Sequence, residues 1–427
     1  MRLPSLFALL PLFALACNTA DPAGEQARPA QIGEAKSELS RNLTPSVSDA
    51  AKTELVRQNT EFALALFRKS ATPTENLVQS PHSLSTALAM TFAGADGQTK
   101  TDIATALHFT LPDEELHSAF NWLDLEIESR AKDAKGKDGK PARVHVDNLL
   151  FSANDVTLAE PYLDTIALNY GAGVQLVDFG DSATVDVING WVSQRTEQRI
   201  PKLLQPNSVD ADTRLVLLNT VYINSAWQSP FQKSAMQDGT FTSPLGARTV
   251  PFLFQSEQFD YFRSDSAQII ELNLATEGLA FDVILPDAEL AAFEAEQTEG
   301  SLSTLFSSLQ PQQVALHLPK FKLEPADQGS LKKPLSELGM ASVFERANFS
   351  RMMPEEENLY VADVIHKTFF EIDEDGLEAA AASAVIVNDE SAAAPSEIEM
   401  RVDRPFMVVL RDKPTGQVLF LGHIVAP

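Results

Sequence analysis

Residues 371–394 read EIDEDGLEAAAASAVIVNDESAAA. Glu374-Asp375-Gly376 is a polar, glycine-marked hinge, and the run from Ala379 to Ala382 leads through Ser383-Ala384 into Val385-Ile386-Val387. The alanines suit a helix, whereas the β-branched triplet suits a strand. No proline interrupts the chain from Gly376 until Pro395, so nothing bars this segment from the middle of a sheet. As a strand it would place Leu377, Ala379, Ala381, Ser383, Val385 and Val387 on one uncharged face, with Glu378 pointing the other way. Taken alone, the stretch reads as an Ala-rich surface loop that also has the pattern of a buried strand.

Around it the pattern is that of a mixed fold. Glu54–Lys69 carries a helical stripe in Leu55, Phe62, Ala65, Leu66 and Phe67. Leu84–Ala93 is an apolar helix opened by Ser80-Pro81. Leu215–Asn224 is almost continuously apolar, which predicts a central strand covered on both faces. Further strands are expected at 144–151, 269–274, 280–285, 314–318, 407–410 and 418–424, with helices at 183–198 and 330–338. Strands and helices do not strictly alternate, so the class is α+β. No linker divides 52–427, which reads as one domain.

Composition removes several kinds of function. The formal charge of −26 opposes binding to nucleic acid or to anionic lipid. A single cysteine excludes an internal disulfide, and the seven histidines (His82, His108, His117, His145, His317, His366 and His423) have no metal-binding spacing, so neither metal nor cofactor is expected. The chain has no GxSxG elbow, phosphate loop or GxGxxG fingerprint. Ser330-Leu331-Lys332-Lys333 matches SxxK, but SDN and KTG are missing, so it reads as an exposed helix start. The lysine-rich stretch 132–140 reads as a solvated loop, with polyanion binding as the other reading.

Residues 1–16 read as an export signal: Arg2, then an apolar run broken by Pro4 and Pro11 that is too short to span a membrane comfortably. The run ends in Ala14-Leu15-Ala16-Cys17, which resembles a bacterial lipoprotein signal with Cys17 as the lipidated residue, and Asn18 after it favours the outer membrane. Residues 17–51, poor in large apolar side chains, are expected to be a flexible tether. Membrane attachment is then through the lipid alone, on the periplasmic or the extracellular face.

Several motifs in order carry a family resemblance. Glu374-Asp375-Gly376-Leu377-Glu378-Ala379-Ala380-Ala381-Ala382 resembles the reactive-loop hinge of serpins. Asn76–Ser83 with Ala93–Thr99, Leu218–Asn224 with Trp227 and Phe231, Leu318-Pro319-Lys320-Phe321, Leu338-Gly339-Met340 with Phe344, and Val402-Asp403-Arg404-Pro405-Phe406 are similar to further motifs of that family.

The resemblance implies three β-sheets, eight or nine helices and an exposed reactive-centre loop. It implies a metastable, monomeric suicide inhibitor of serine proteases, in which the cleaved loop enters the central sheet and stalls the acyl-enzyme. The alternative is a non-inhibitory member acting as a binding protein or plain substrate. By the same resemblance, Gly376 to Ala382 enter first, Ser80, Ser83, Asn219 and His366 lie in the shutter beneath the sheet, and Trp227 lies in the breach at its top. Leu377 stands where inhibitory members usually carry a smaller residue. The family's spacing from Glu374 ends at Glu390, making Glu390-Ser391 the scissile bond and a glutamate-preferring protease the target. Ser391-Ala392-Ala393-Ala394 would instead suit elastase-like enzymes.

Overall fold

The computed structural model describes residues 32–206, 208–323, 330–355, 359–377 and 398–427. The chain opens with β1 (Gly33–Ala35), α1 (Asp49–Ser70), β2 (Leu77–Gln79), α2 (Pro81–Gly94), α3 (Gly97–Ala106), α4 (Asp113–Arg130) and β3 (Arg143–Ala153). It continues through α5 (Glu160–Tyr170), β4 (Val174–Val177), α6 (Thr184–Arg195), β5 (Leu215–Ala226), β6 (Gln237–Ser243), β7 (Gly246–Arg263), β8 (Ala267–Asn273) and β9 (Leu279–Pro286). Then follow α7 (Leu290–Glu296), α8 (Glu299–Ser307), β10 (Gln310–Pro319), β11 (Phe321–Leu323), α9 (Lys332–Leu335) and α10 (Ala341–Glu345). The last strands are β12 (Val364–Thr368), β13 (Phe370–Ile372), β14 (Gly376–Leu377), β15 (Ile398–Arg401), β16 (Phe406–Asp412) and β17 (Val418–Ile424).

The large sheet runs β1-β4-β3-β5-β14-β13-β11, with β12 also on β5. A second ladder runs β15-β10-β7-β8-β9-β16-β17-β2, with β6 on β7. The long β7 pairs with β6 and β10 along most of its length and with β8 only at its end. It therefore belongs to two sheets, which makes three in the α+β fold. The expected central strand is confirmed in β5. Leu215 and Leu217 face the main core that contains α1, α2 and α4, while Val216 and Leu218 face a separate cluster with Ile188 and Val192 of α6. Both faces are covered, so both sets of alternating positions are apolar. The helix expected at 330–338 is regular only over α9, and Gly339 at φ 112° breaks it before α10.

The N-terminal tether needs correcting from Ile32 onward. β1 pairs antiparallel with β4 and extends the edge of the large sheet. Arg41, its side chain only 16% exposed, donates Nε to Asn121 at 2.8 Å and approaches Glu128 at 3.1 Å and Asp124 at 3.6 Å. The Asn42 N–H donates to the Leu168 carbonyl, and Asn121 Nδ2 donates to the Asn42 carbonyl. Helix α1 starts at Asp49, capped by Ser48, whose hydroxyl accepts the Ala51 N–H. Composition misled because this strap is held by hydrogen bonds and charge, with little apolar burial. Replacing Arg41 with alanine removes its contacts to Asn121, Asp124 and Glu128 and should cost about 1–3 kcal/mol, read as a lower urea midpoint than that of the wild type.

Candidate functional site

Strand β5 has two different neighbours along one edge. At one end it pairs in parallel with β12, Leu217–Val221 against Val364–Thr368. At the other end Leu377 and Gly376 of β14 lie antiparallel to Ser225 and Ala226. The chain leaves β5 after Thr368, continues as β13 and returns as β14, with Leu377 opposite Ile372. The sheet therefore has a slot between β5 and β13 that is occupied by the two residues of β14.

The turn that makes this possible is Asp373–Gly376. Asp373 Oδ1 accepts the Asp375 N–H at 2.9 Å and the Gly376 N–H at 3.2 Å, and the Asp373 N–H donates to the Gly376 carbonyl at 3.1 Å. Gly376 is required by close approach: a Cβ there would overlap the Ser225 carbonyl oxygen and stand 2.8 Å from Ala226 Cα. Leu377 is buried at 2% exposure, so its bulk is seated within the sheet. Trp227 pins the turn from outside. Its indole N–H donates to the Asp373 carbonyl at 2.8 Å, its backbone N–H donates to the Asp375 carbonyl, and its ring packs edge-on against Phe231.

Each acid of the turn meets a lysine. Asp373 Oδ2 accepts from Lys137 Nζ at 2.6 Å, Glu374 from Lys320 at 2.5 Å, and Asp375 from Lys233 at 3.1 Å. Burial alone would raise the Glu374 carboxyl, but the Lys320 hydrogen bond and the charges of Lys320 and Lys233 hold it below its ordinary value. The hydrogen bond to Asp375 raises the Lys233 ammonium. Sequence reasoning placed Lys320 inside a motif without giving it a contact. It missed Lys137 altogether and read 132–140 as solvated. Lys137 instead is turned inward with its side chain 2% exposed, while Lys140 remains 74% exposed.

Beneath the seam, His366 of β12 is fully buried and stands in register with Asn219 of β5. Its Nε2 accepts the backbone N–H of Ser80 at 3.0 Å, so it is neutral with its proton on Nδ1. The Ser80 hydroxyl donates instead to the Leu419 carbonyl, and Thr368 donates to the Val78 carbonyl. Ser83 is buried in α2. Ser80 and His366 thus tie the start of α2 to the strands around it. Asn219 is placed by its backbone, and its side chain lies outside what the structure describes. Cys17, Glu378, Ala379, Ala380, Ala381, Ala382, Glu390 and Ser391 also lie outside the described residues. Ser330 is far from this site in role: its hydroxyl donates to Asp363 and accepts the Lys332 N–H, as at a helix start.

Comparison with known proteins points to one family. The family model described as Serpin (serine protease inhibitor) matches residues 57–427. A leukocyte elastase inhibitor from Xenopus laevis is 34% identical, over 86% of this chain and 98% of the relative. Human antithrombin-III is 30% identical, over 91% of this chain and 85% of the relative. The native crystal structure of a thermophilic serpin, tengpin, superposes with a TM-score of 0.81 at 25% identity, covering 93% of this chain and all of that one. Native protease nexin-1 with heparin gives 0.77 at 29% identity, covering 88% and 100%.

Two outcomes follow from this geometry. Gly376→Ala should expel β14 from its place beside Ser225, and the Trp227 emission should shift to the red as water replaces the Asp373 carbonyl at the indole. Burial holds His366 at a pKa of about 3 and His117 at about 4, both below the usual histidine value. The unfolded chain therefore binds more protons between those values and about pH 6.5, and stability falls as pH drops through that window, by up to about 1.4 kcal/mol per unit per histidine. Denaturation midpoints measured from pH 7 to 4 should show this slope, and His366→Gln should flatten it without abolishing the His117 share.

Proposed function

This chain belongs to the serpin family of serine protease inhibitors, and we propose that it stops its target by a single-use conformational trap. The observation that carries this reading is the slot: β14 stands antiparallel between β5 and β13, while below it β5 and β12 are joined in parallel. A parallel joint is the weaker kind per residue. A strand continuing from Leu377 would replace one parallel ladder with two antiparallel ones. The native state then lies above a more stable form, and intact connectivity of the loop is what keeps it there. A protease that cuts the loop while covalently attached to its new end is carried along as the strand forms, and its deacylation stalls.

The target follows from the loop sequence. No Lys or Arg lies between Glu371 and Met400, so trypsin-like enzymes are poor candidates. Glu390-Ser391 suits a glutamate-preferring protease with a basic pocket. The small residues Ser391 to Ala394 suit an elastase-like one, and leukocyte elastase inhibitors are among the relatives. The protein acts as a monomer. It is exported and held at the outer membrane by a lipid on Cys17, a reading supported by the apolar run that ends at Ala16.

The test is to mix the chain from Asn18 onward with a glutamyl endopeptidase, elastase, chymotrypsin, subtilisin and trypsin, and run SDS gels. A covalent band at the summed mass, with the cut after Glu390 by mass spectrometry, is expected for the glutamyl enzyme. Clean cleavage with fully active protease throughout would identify a non-inhibitory member instead.

A further inference from the structure

The loop 131–142 joins α4 to β3 and folds back on itself. The Gly136 N–H donates to the Lys140 carbonyl, the Gly139 N–H to the Gly136 carbonyl, and Lys135 bridges to Pro141. Asp138 fastens it to the start of β3 through both nitrogens of the Arg143 fork, at 2.8 and 3.2 Å. Its tip is seated on the end of β5. The Ala226 N–H donates to the Lys135 carbonyl at 3.2 Å, and the Lys137 N–H donates to Asn224 Oδ1 at 3.0 Å. A Cβ on Gly136 would stand 2.5 Å from the same Asn224 oxygen, so the loop lies flush against the strand.

Lys137 is placed by this seating. Its Cβ stands 3.1 Å from where a Cβ of residue 376 would be, so its stem covers Gly376. Its ammonium reaches back to Asp373 at 2.6 Å. One side chain thus spans the turn from its last residue to its first and presses it onto Ser225 and Ala226, the residues that pair with β14. A lysine buried to this degree is unfavourable unless paired. Here the pairing occurs at the pivot of the segment that would move.

We propose that Lys137 is a positioning residue of the trap, holding the Asp373–Gly376 turn on the end of β5 so that the cleaved loop enters the sheet with its first pair already in register. This rests on the trapping function proposed above. After cleavage the chain beyond Leu377 faces two competing outcomes, insertion and loss of the acyl bond. With the turn clamped, insertion extends an existing strand. Without the clamp, Gly376 and Leu377 must first be ordered again, and fixing each residue slows that step several-fold. A freed turn also lengthens the tether of the segment beyond it by two strand positions, about 7 Å, which makes the first attack by the protease no harder.

The two effects separate positioning from mere stabilisation. A lysine that only stabilised the native sheet would, on removal, leave insertion as fast or faster. The experiment compares the wild-type mature chain with K137M, which keeps the stem and removes the charge, and with D373N, which keeps an acceptor for the turn and removes the ion pair. Against a protease the wild type traps, both variants should need several-fold more inhibitor per enzyme molecule, with an acylation rate equal to or above that of the wild type. K137R should return the stoichiometry toward the wild-type value. An unchanged or lower stoichiometry in K137M and D373N overturns the proposal, and D373N alone carries the test if K137M does not fold. If the wild type traps no protease, the proposed function fails by itself. The inference is then read from tryptophan emission after a proteolytic cut within 378–397: a several-fold slower change in K137M supports it, and equal rates overturn it.

Discussion

The parallel seam between β5 and β12 is the constraint on which the rest of the structure depends. Five residue pairs, Leu217–Val221 with Val364–Thr368, close one half of an edge whose other half is taken by β14. Parallel pairing is the weaker kind per residue, so this half of the edge is the less firmly closed. The core on both faces of β5 keeps the seam from drifting, since alternate residues are packed into different clusters. His366 and Ser80 lock it from below, with the imidazole kept neutral by burial so that its Nε2 can accept.

The top of the slot is held by charge and hydrogen bonds instead. Three acids in a tight turn would repel one another, and each is matched to a lysine from a different part of the chain. This is local neutralisation on a strongly acidic protein. It leaves each carboxylate of the turn paired with an ammonium. At the opposite edge, β1 adds a strand to β4, so the sheet is braced on its outer side.

Much of this was legible in the residues. The continuous apolar run of β5 predicts a central strand, and β17 is found over the range expected for it. The neutral face beginning at Leu377 marks a segment that can be buried, and Leu377 is buried. Other parts were not legible. β7 alternates exposed and buried positions irregularly because it serves two sheets in turn. The strap around Arg41 carries almost no apolar signal, since its attachment is polar. The loop 132–140 has the composition of a solvated turn, and nothing in that composition distinguishes Lys137 from Lys140.

By itself, the sequence determined the family, the order of the motifs, the central strand and the hinge whose uncharged face permits burial, because these depend on residue type and short spacing. Only the tertiary structure decided that the hinge turn already sits in the sheet and which lysine meets which acid. Lys137 and Asp373 are 236 positions apart and Lys320 and Glu374 54 apart. A contact between such distant residues is set by the packing of the elements that carry them, and no local propensity encodes it.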